Sequence, residues 1–498
     1  MCCRCSICRP FPPINPAFHK PKNNQIMKKT YFLLLAFFSA MLIGGCAQPD
    51  TMQGVWYGLY NNSLIELRLN EDGSMSMDSE SSSNTSFDGT YSLDESVEPC
   101  QIHLTMSTGM AGAGLIRLGE DGSLDINCLF GVPGMVTAPE NFEPVPMNPA
   151  NVTLHLVRNK RPLLAEINKK IDIPAEAQLA FERNKRLGTG INLNAVVDGN
   201  LHPGYERDAP LNDEEIRSIA EAGFNSVRLN VTWSKHCAKE YPYTIDPEFL
   251  NKVDHIVDEC IANGLAVSVD VHYYPYINMN EPSDDISMED NYKRLGCLWE
   301  QIADHYKDYP NDMLFFDLLN EPNLVMGVER WNQLSAELIK IVRKSNPERT
   351  LLISTPSLGQ SWTLGALTMP EDDWNIIVEF HYYLPHTFTH QGLSYAMAGD
   401  NQGIEWQGTE AEKAAILKDL DYCKRWSEKN GRPVNMGEYG VVNTADEASR
   451  MRYLGFIQDV VREREISSHL WGYREIFMIR DEKTGEWNQN ILKAMKLK

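Results

Sequence analysis

The sequence predicts a (β/α)8 barrel, an α/β fold, preceded by a small antiparallel all-β domain. From about residue 186 onward, apolar strands alternate with amphipathic helices in eight repeats, a pattern typical of this barrel. Before that point, residues 52–158 consist of short runs that alternate apolar and polar positions between turn residues, which indicates hairpins. A chain of 498 residues, 43% of them hydrophobic, can bury one large core and a second, smaller one.

Residues 1–45 have the features of a leader rather than of a folded domain. A basic start at Met27–Lys29 precedes the apolar run Tyr31–Ile43, which is shorter than the ~20 residues that a membrane span requires. The small residues before Cys46 resemble the lipobox of bacterial lipoproteins, and Ala47 rather than an acidic residue follows. This resemblance implies that Cys46 becomes a lipidated N-terminus and that the protein is anchored in the bacterial cell envelope, at one face of the outer membrane.

The cysteines do not predict a metal site. Four of them stand within the first eight residues, but no second ligand pair follows, and a start codon assigned too early explains them better. Cys100 and Cys128 are the pair in the β segment and could form a disulfide in an oxidising envelope. The others are scattered, and we expect ordinary buried thiols at Cys237, Cys260, Cys297 and Cys423. We expect neither a metal ion nor another cofactor.

The charge argues for a neutral ligand. The chain carries a net charge of −22, and without residues 1–45, which contribute six basic and no acidic residues, the charge is −28. No block of Lys and Arg follows the leader, which argues against nucleic-acid binding. We therefore expect a monomer that acts on an uncharged substrate and touches the membrane only through its anchor.

Residues 46–160 are predicted to form the small β domain. Its candidate strands are GVWYGLY, SLIELRLN, SMSMDSE, QIHLTM, LIRL, LDINCLF and VTLHLV. Turns are predicted at Asp72-Gly73, Asp88-Gly89 and Asp121-Gly122. The opening GVWYG resembles lipocalin-like barrels, and a sandwich is the alternative. The domain either binds carbohydrate or spaces the rest of the chain from the membrane.

A helical linker over residues 161–185 leads to the barrel predicted for residues 186–498. Its eight candidate strands are GTGINL, NSVRLNV, LAVSVDV, LFFDLL, TLLIST, IIVEFHYY, PVNMGE and SHLWGY. Amphipathic stretches such as PEFLNKVDHIVDECIANG lie between them and end near Gly or Asn, which is typical of helix C-termini.

Polar and aromatic residues follow these apolar strands at the end where such barrels carry their sites. The stretch LFFDLLNEPN shows the pattern, because a buried strand ends in Asn320 and Glu321. The other strands offer Arg228 on strand two, His272 after strand three, His381 and Tyr383 after strand six, Glu438 after strand seven and Trp471 on strand eight. Each alone has a bland explanation, as a solvated loop residue or a core residue, but together they predict one site.

Two carboxylates in such a cleft suggest glycoside hydrolysis. One carboxyl group donates a proton to the leaving oxygen while the other, ionised, attacks the anomeric carbon. Arg228 would keep Glu438 ionised. Asn320 would bond the sugar 2-hydroxyl, and Tyr383 would position Glu438.

The segments VRLNVTW, VDVHYY, LLNEPN, EFHYYLPHTFTHQG, PVNMGEYG and ISSHLWGY resemble glycoside hydrolase family 5 of the bacterial endoglucanase type. The resemblance covers residues 186–498. It implies that Glu321 is the acid/base and Glu438 the nucleophile. The resemblance further implies that substrate is bound by Arg228, His272, Asn320, His381, Tyr383 and Trp471, where the Trp471 ring stacks on a sugar. His390, in FTHQG, either touches substrate or stabilises its loop.

Some positions depart from the family pattern. Tyr273 follows His272 where relatives carry a second His. The segment GINLNAVVDGN lacks the spacing of Asn and acidic residues that relatives have after GINL. Ser468 stands where relatives often have an additional Trp, and Gly472-Tyr473-Arg474 replaces a Glu-Phe pair. These departures leave the preferred polysaccharide open.

We therefore expect an endo-acting, retaining glycoside hydrolase that cleaves internal β-1,4 linkages of β-glucan, a cellulase. The alternatives are a β-mannanase or xyloglucanase of the same family and a surface lipoprotein that binds glycan without cleaving it. A metalloenzyme of the same fold would require clustered His and Asp ligands at strand ends, which the sequence lacks.

Overall fold

The computed structural model describes residues 51–80, 86–145, 150–194, 211–272, 274, 286–322, 326–394, 401–474, 476–481 and 484–498. The predicted leader, with Cys46, lies outside these residues. Within them, none of the helices combines the length and the apolar character that a membrane crossing needs. The described chain folds into two closed barrels, one antiparallel and one parallel, which confirms the predicted fold class.

The first barrel contains eight antiparallel strands, each paired with its neighbours in the sequence, and closes where the first strand pairs with the last. The strands are β1 Gly54–Tyr60, β2 Ser63–Leu69, β3 Ser74–Ser79, β4 Phe87–Asp94, β5 Gln101–Met106, β6 Ala111–Leu118, β7 Leu124–Gly131 and β8 Asn151–Val157. Alternate apolar residues point inward, as in β5, where Ile102, Leu104 and Met106 are buried between exposed neighbours.

One strand of this barrel, β4, was not predicted from the sequence. Asp88-Gly89 was predicted as a turn, but both residues lie inside β4, and Gly89 pairs with Met106 of β5. A side chain at position 89 would collide with the backbone of β5, so the glycine allows the two strands to approach closely. Cys100 and Cys128 are free thiols and not a disulfide.

The second barrel consists of eight parallel strands in sequential order. They are β9 Thr189–Leu193, β10 Ser226–Val231, β11 Ala266–Val271, β12 Leu314–Asp317, β13 Leu351–Ser354, β14 Ile376–His381, β15 Val434–Tyr439 and β16 Ser467–Leu470. Every residue of these strands is buried, because side chains fill the barrel on one face and pack against helices on the other. All eight correspond to the strands predicted from the sequence.

Helices follow the strands and surround the parallel barrel. They are α3 Asp213–Glu221, α4 Pro247–Ala262, α5 Met288–His305, α6 Gly327–Arg343, α7 Pro356–Gly359, α8 His386–Thr389, α9 Glu410–Asn430, α10 Glu447–Glu463 and α11 Gln489–Ala494; before the barrel come α1 Arg161–Ile167 and α2 Gln178–Leu187. Side-chain caps mark several starts. Asn212 with Glu215, and Thr409 with Glu412, form capping boxes that satisfy N–H groups of the first turn.

The antiparallel barrel packs on the parallel one through the hairpin between β1 and β2. The carbonyl oxygen of Asn61 accepts a hydrogen bond from the Tyr422 hydroxyl of α9 at 2.7 Å. It also lies so close to Gly365, in the 3₁₀ segment Ser361–Ala366, that a Cβ there would clash with it. Lys418 of α9 pairs with Asp78 of β3 at 2.8 Å.

Candidate active site

Arg228 occupies the middle of the parallel barrel, on β10, with its side chain fully buried. Its N–H groups donate to five side-chain oxygens from four other strands or their ends. The acceptors are Asp317 (2.8 Å from Nε), Asn192 and Glu438 (3.1 and 3.0 Å from Nη1), and Asn320 and Glu379 (2.9 and 3.1 Å from Nη2). Because a guanidinium is planar and permanently charged, it fixes the positions of these side chains relative to each other.

Glu438, on β15, is held at both carboxylate oxygens. Oε1 accepts the bond from Arg228, and Oε2 accepts one from the Tyr383 hydroxyl at 2.9 Å. Only 7% of its side chain is exposed. The pKa of Glu438 is raised. Burial is the largest cause and the charge of Glu321 adds to it, while His381 and Arg228 lower the pKa without outweighing burial.

Glu321 follows β12 and is the more accessible of the two carboxylates, with 32% of its side chain exposed. Its backbone has a φ of 42°, a left-handed conformation that costs free energy for a residue other than glycine. Such strain at the tip of a strand is common at functional sites, where surrounding structure holds a side chain in position. His381, at the end of β14, contacts Glu321 Oε1 through Nδ1 at 2.8 Å.

Glu321 and His381 share a proton. Burial favours the neutral form of Glu321, but the hydrogen bond and charge of His381 outweigh it and lower the pKa of Glu321. Burial also opposes charge on His381, but Glu438 and Glu321 outweigh it and raise the pKa of His381 well above its usual value. The pair thus keeps one proton at neutral pH, on the imidazole in this arrangement, at 2.8 Å from the Glu321 oxygen that can take it.

The two carboxylates are close together. One oxygen each of Glu321 and Glu438, and a ring nitrogen of His381, lie within 4.8 Å of one another. Retaining glycosidases have carboxyl groups about 5–5.5 Å apart, whereas inverting enzymes need about 6.5–9.5 Å for a water molecule. The nearest oxygens of Glu321 and Glu438 are therefore closer than the separation that an inverting mechanism needs.

Two groups of side chains in the described residues have the spacing to hold a metal ion. One is the trio of Glu321, His381 and Glu438, and the other is Asp213, His255 and Glu259 on α3 and α4. In the first, Arg228 already supplies a positive charge 3.0 Å from Glu438, and the trio is explained without an ion. The second is largely exposed, and nothing else at that surface indicates a ligand.

His272 and Trp471 form one wall of the site. Their rings are stacked, with centroids 5.4 Å apart and planes at 14°. Nδ1 of His272 contacts Asp270 at 2.5 Å and its Nε2 lies 3.9 Å from Glu438. Trp471 follows β16 and is 6% exposed. The ring was predicted to stack on a sugar, but His272 covers part of it.

Tyr383 is supported from behind by His390. The two rings meet edge to face at 4.8 Å, and Nδ1 of His390 lies 2.9 Å from the Thr389 hydroxyl. Burial and the neighbouring His386 lower the pKa of His390 to about 4, which makes the ring neutral. These contacts suit the loop-stabilising alternative; a contact of His390 with substrate stays a prediction.

The structure thus brings together all eight residues predicted at strand ends, with His390 behind them. Sequence reasoning missed the acidic residues beneath them and Asn192 of β9. Asp270 and Glu379 stand two positions before His272 and His381, and therefore on the same side of their strands. This period of two was the available signal. Asp317 precedes Asn320 by three residues, across the end of β12, and showed no such periodicity.

Two of the sequence departures lie away from the site. Ser468, which stands where relatives often have an additional Trp, is buried between β16 and α10 and accepts a hydrogen bond from Gln458 at 2.9 Å. Tyr473 and Arg474 turn toward Glu215 of α3, at 3.2 and 3.3 Å. Tyr273 and residues 195–210, which include most of GINLNAVVDGN, lie outside the described residues.

Comparisons with known proteins agree with this geometry. A family profile described as "Cellulase (glycosyl hydrolase family 5)" matches residues 189–475. Endoglucanase H of Acetivibrio thermocellus is 30% identical over 294 residues, which cover 58% of this chain and 30% of that protein. Endoglucanase B of Clostridium cellulovorans is 27% identical over 331 residues, covering 61% and 72% of the two chains.

Solved structures are similar over the parallel barrel. Endoglucanase Cel5A from the hyperthermophilic Thermotoga maritima is 34% identical, with a TM-score of 0.59, over 64% of this chain and 99% of that one. A structure of the same enzyme with a mannotriose substrate has a TM-score of 0.58 at 34% identity, over the same shares of the two chains. Among the curated relatives, this chain spans only 30% of the length of Endoglucanase H and 39% of that of the cellulase/esterase CelE from the same organism.

Proposed function

Because the chain belongs to the cellulase family, glycosyl hydrolase family 5, we propose that it is an endo-β-1,4-glucanase that acts by a retaining mechanism. The observation that carries the proposal is the approach of Glu321 and Glu438 to within 4.8 Å beneath one open end of the barrel. The names of its relatives as endoglucanases support the same activity.

In the first step, a Glu438 oxygen attacks the anomeric carbon. The glycosidic bond breaks, and the leaving oxygen takes the proton that Glu321 and His381 share. Arg228 and Tyr383 aim the Glu438 carboxylate, since each holds one of its oxygens, at 3.0 and 2.9 Å. The product of this step is a glycosyl ester of Glu438 and a shortened glucan with a free non-reducing end.

In the second step, water attacks the same carbon and displaces Glu438. The pair of Glu321 and His381, which gave up its proton in the first step, takes one back from the water through Glu321, and the configuration at the anomeric carbon is retained after two inversions. Asn320 assists both steps. Because its Oδ1 accepts from Arg228 at 2.9 Å, its amide N–H groups remain to donate to the sugar 2-hydroxyl.

Mannan is a second candidate substrate. The Thermotoga maritima enzyme, at 34% identity, has been solved in complex with mannotriose and in complex with cellobiose, so one related barrel holds both sugars. The fold does not fix the sugar, because specificity depends on loop residues around the cleft. We therefore propose β-1,4-linked glucan as the main substrate and β-mannan as an alternative.

The proposal is tested by the rate of reducing-end release from a soluble β-1,4-glucan and, in parallel, from glucomannan. We expect the protein to cut at least one polymer and Glu438→Gln to lose about four orders of magnitude or more in rate. Glu300→Gln, at an exposed position on α5, is the matched control and should act like the wild type. An inert wild-type protein on both polymers, or an active Glu438→Gln variant, would overturn the proposal.

The stereochemistry offers an independent test. Proton NMR of the first products should show the β-anomer before mutarotation, because a retaining mechanism preserves the β configuration. Initial release of the α-anomer would exclude Glu438 as a nucleophile.

We also propose, from the sequence alone, that Cys46 is lipidated and holds a monomeric enzyme at the outer membrane. The apolar run before it and the small residues at positions 44–45 support the proposal. Expression in a bacterium with radiolabelled palmitate should label the wild type in the membrane fraction. A Cys46→Ser variant that remains labelled would contradict the assignment.

A further inference from the structure

The antiparallel barrel encloses a cavity of about 650 Å³. Its walls are formed by the inward-facing side chains of most strands, among them Leu67, Met77, Leu104, Ile126 and Leu154. Closed barrels of eight strands either fill their interior with side chains or leave room for one small molecule. This volume lies within the 300–1,000 Å³ typical of ligand-binding pockets.

One end of this barrel is closed. The Trp56 indole, 1% exposed, donates to the carbonyl of Met52 at 2.7 Å, and the Arg158 guanidinium lies over its ring at 3.6 Å. Arg158 also donates to the backbone oxygens of Thr51 and Val55, at 2.8 and 3.1 Å. These contacts link β1 with the residue that follows β8 and fill this end of the barrel, which we call the floor.

The opposite end faces the parallel barrel. Tyr60 and Asn61 line the cavity there, and Leu358, Trp362 and His386 of the parallel barrel complete its lining. These three residues follow β13 and β14, at the same end of the barrel as the catalytic carboxylates. A molecule inserted in the antiparallel barrel therefore has its outer end at the junction between the two barrels.

The lining determines the chemical class of the ligand. Among the described residues that line the cavity, none is Asp, Glu, Lys or Arg, so a buried charge would find no partner and would be strongly disfavoured. The polar side chains, such as Ser86, Thr108 and Gln360, are concentrated at the junction end. A sugar would need hydrogen-bond partners along its whole length, and the interior does not supply them.

The shape favours a long molecule. The strands have six to eight residues at about 3.3 Å per residue, and the lining extends from Leu69 and Met75 near the floor to Met110 and Phe130 at the junction. Methionine side chains bend to fit irregular apolar partners, and four of them line this cavity.

We propose that the antiparallel barrel binds one linear alkyl or acyl chain that carries an uncharged polar head. The chain lies in the cavity, and the head lies at the junction beside His386. The His386 ring is 5.1 Å from His390 and 6.5 Å from Tyr383, so an occupied junction borders the catalytic side of the molecule. This site is independent of the proposed hydrolase activity.

Binding is measured with N-phenyl-1-naphthylamine, an uncharged dye that fluoresces in apolar surroundings, on the purified protein. We expect one dye molecule to bind per chain. Dodecanol should displace the dye at a concentration at least tenfold lower than hexanol, because each buried methylene adds to the affinity. Absence of saturable dye binding, or equal displacement by the two alcohols, would overturn the proposal.

The head group is tested with dodecanoate and dodecyl maltoside below their micellar concentrations. Dodecanoate should bind at least tenfold more weakly than dodecanol, because no Lys or Arg is among the described lining residues and burial lowers the pKa of His386, which disfavours a cation there. Tighter binding of dodecanoate would refute the uncharged head. Displacement by dodecyl maltoside as strong as by dodecanol would identify a sugar as an accepted head, whereas tenfold weaker displacement would restrict the site to smaller heads.

Two variants locate the site. Leu104→Trp fills the cavity from β5 and should weaken dye binding at least tenfold, while Thr105→Trp adds the same ring to the exposed face of the same strand and should change nothing. Circular dichroism and the unfolding temperature report whether each variant folds. Met77→Trp, from β3, is the second variant if Leu104→Trp fails to fold. Unchanged affinity in a folded cavity variant would place the dye elsewhere.

Discussion

At the scale of single residues, the site is organised by the placement of protons among buried acids. Burial raises the pKa of Asp317 well above its usual value, and Glu379 and Asp270 add to this. Burial also opposes ionisation of Glu379, but Arg228 and His381 outweigh it and lower its pKa to about 2. Asp317 and Glu379 thus differ in how readily they ionise, although both contact Arg228 beneath the catalytic pair, at 2.8 and 3.1 Å.

The bond from Tyr383 to Glu438 can be tested by Tyr383→Phe. A hydrogen bond to a charged group contributes about 1.5–3 kcal/mol, so kcat should fall roughly 10- to 100-fold with little change in KM. Steady-state kinetics on a cello-oligosaccharide measure both constants. Tyr309→Phe, which removes a hydroxyl bonded to exposed Asp258, is the matched control and should be neutral. A fall in kcat of less than threefold would argue against positioning by Tyr383.

The shared proton predicts a pH effect of His381→Gln. In the wild type, the raised pKa of His381 keeps a proton on the pair to high pH, so the alkaline limb of kcat/KM follows that pKa. Without the imidazole, the proton resides on the Glu321 carboxyl group alone, which ionises at lower pH. The alkaline limb should therefore move toward acid, and pH profiles of both proteins measure it. An unmoved limb would mean that another group controls it.

At the scale of elements, caps and tight glycines define where helices and strands lie. In α9, the Thr409 side chain accepts from the N–H of Glu412 while Glu412 reaches back to the N–H of Thr409, and Gly431 ends the helix at a φ of 62°. In the barrel, Gly437 of β15 leaves room for the buried Glu379 side chain of β14. The capping box of α9 has a local sequence signature, because its residues are close in the sequence. Gly437 has none, because the side chain that needs the space, Glu379, belongs to another strand.

The cap of α9 predicts the effect of Thr409→Ala. Loss of a threonine cap costs about 1 kcal/mol, and the position is exposed and remote from the carboxylates, so stability should fall while kcat stays unchanged. Denaturant unfolding measures the change in the free energy of unfolding. Thr409→Ser keeps the hydroxyl, so its free energy of unfolding should fall by at most a few tenths of the fall seen in Thr409→Ala. A lower kcat in the folded Ala variant would show that α9 influences the site.

At the scale of the whole molecule, the junction between the barrels depends on a close backbone approach. Gly365 has no left-handed φ to justify a glycine, yet a Cβ there would overlap the carbonyl of Asn61. The Lys418–Asp78 pair beside it is partly exposed and contributes little by comparison. We infer that the contact of Asn61 with Gly365 and Tyr422 fixes the antiparallel barrel in place.

This inference is tested by Gly365→Ala. Overlap in a packed interface costs about 1–3 kcal/mol, so the unfolding temperature should fall by several degrees in calorimetry. Gly296→Ala in α5, where only the flexible end of Ile341 is near, is the control and should be neutral or slightly stabilising. Equal unfolding temperatures for wild type and Gly365→Ala would mean that the hairpin shifts freely and that the junction is loose.

The sequence by itself determined the strands of the parallel barrel and the polar residues at their ends. It could do so because apolar runs, turn residues and helix periodicity are local signals, and because parallel strands in such a barrel present their ends at one face. The strand β4 was missed since its Asp88-Gly89 has the composition of a turn. The packing need that places a glycine there comes from β5 and is not local.

Only the tertiary structure decided which residues share charges and space. Arg228 meets Glu438 across 210 positions of sequence and Glu379 across 151, and the proton between Glu321 and His381 depends on that assembly. The cavity of the antiparallel barrel and its closure by Trp56 and Arg158 likewise arise when the first strand pairs with the last. Such contacts depend on how the barrels close in space, and the local periodicities of a single sequence do not record distances between its remote parts.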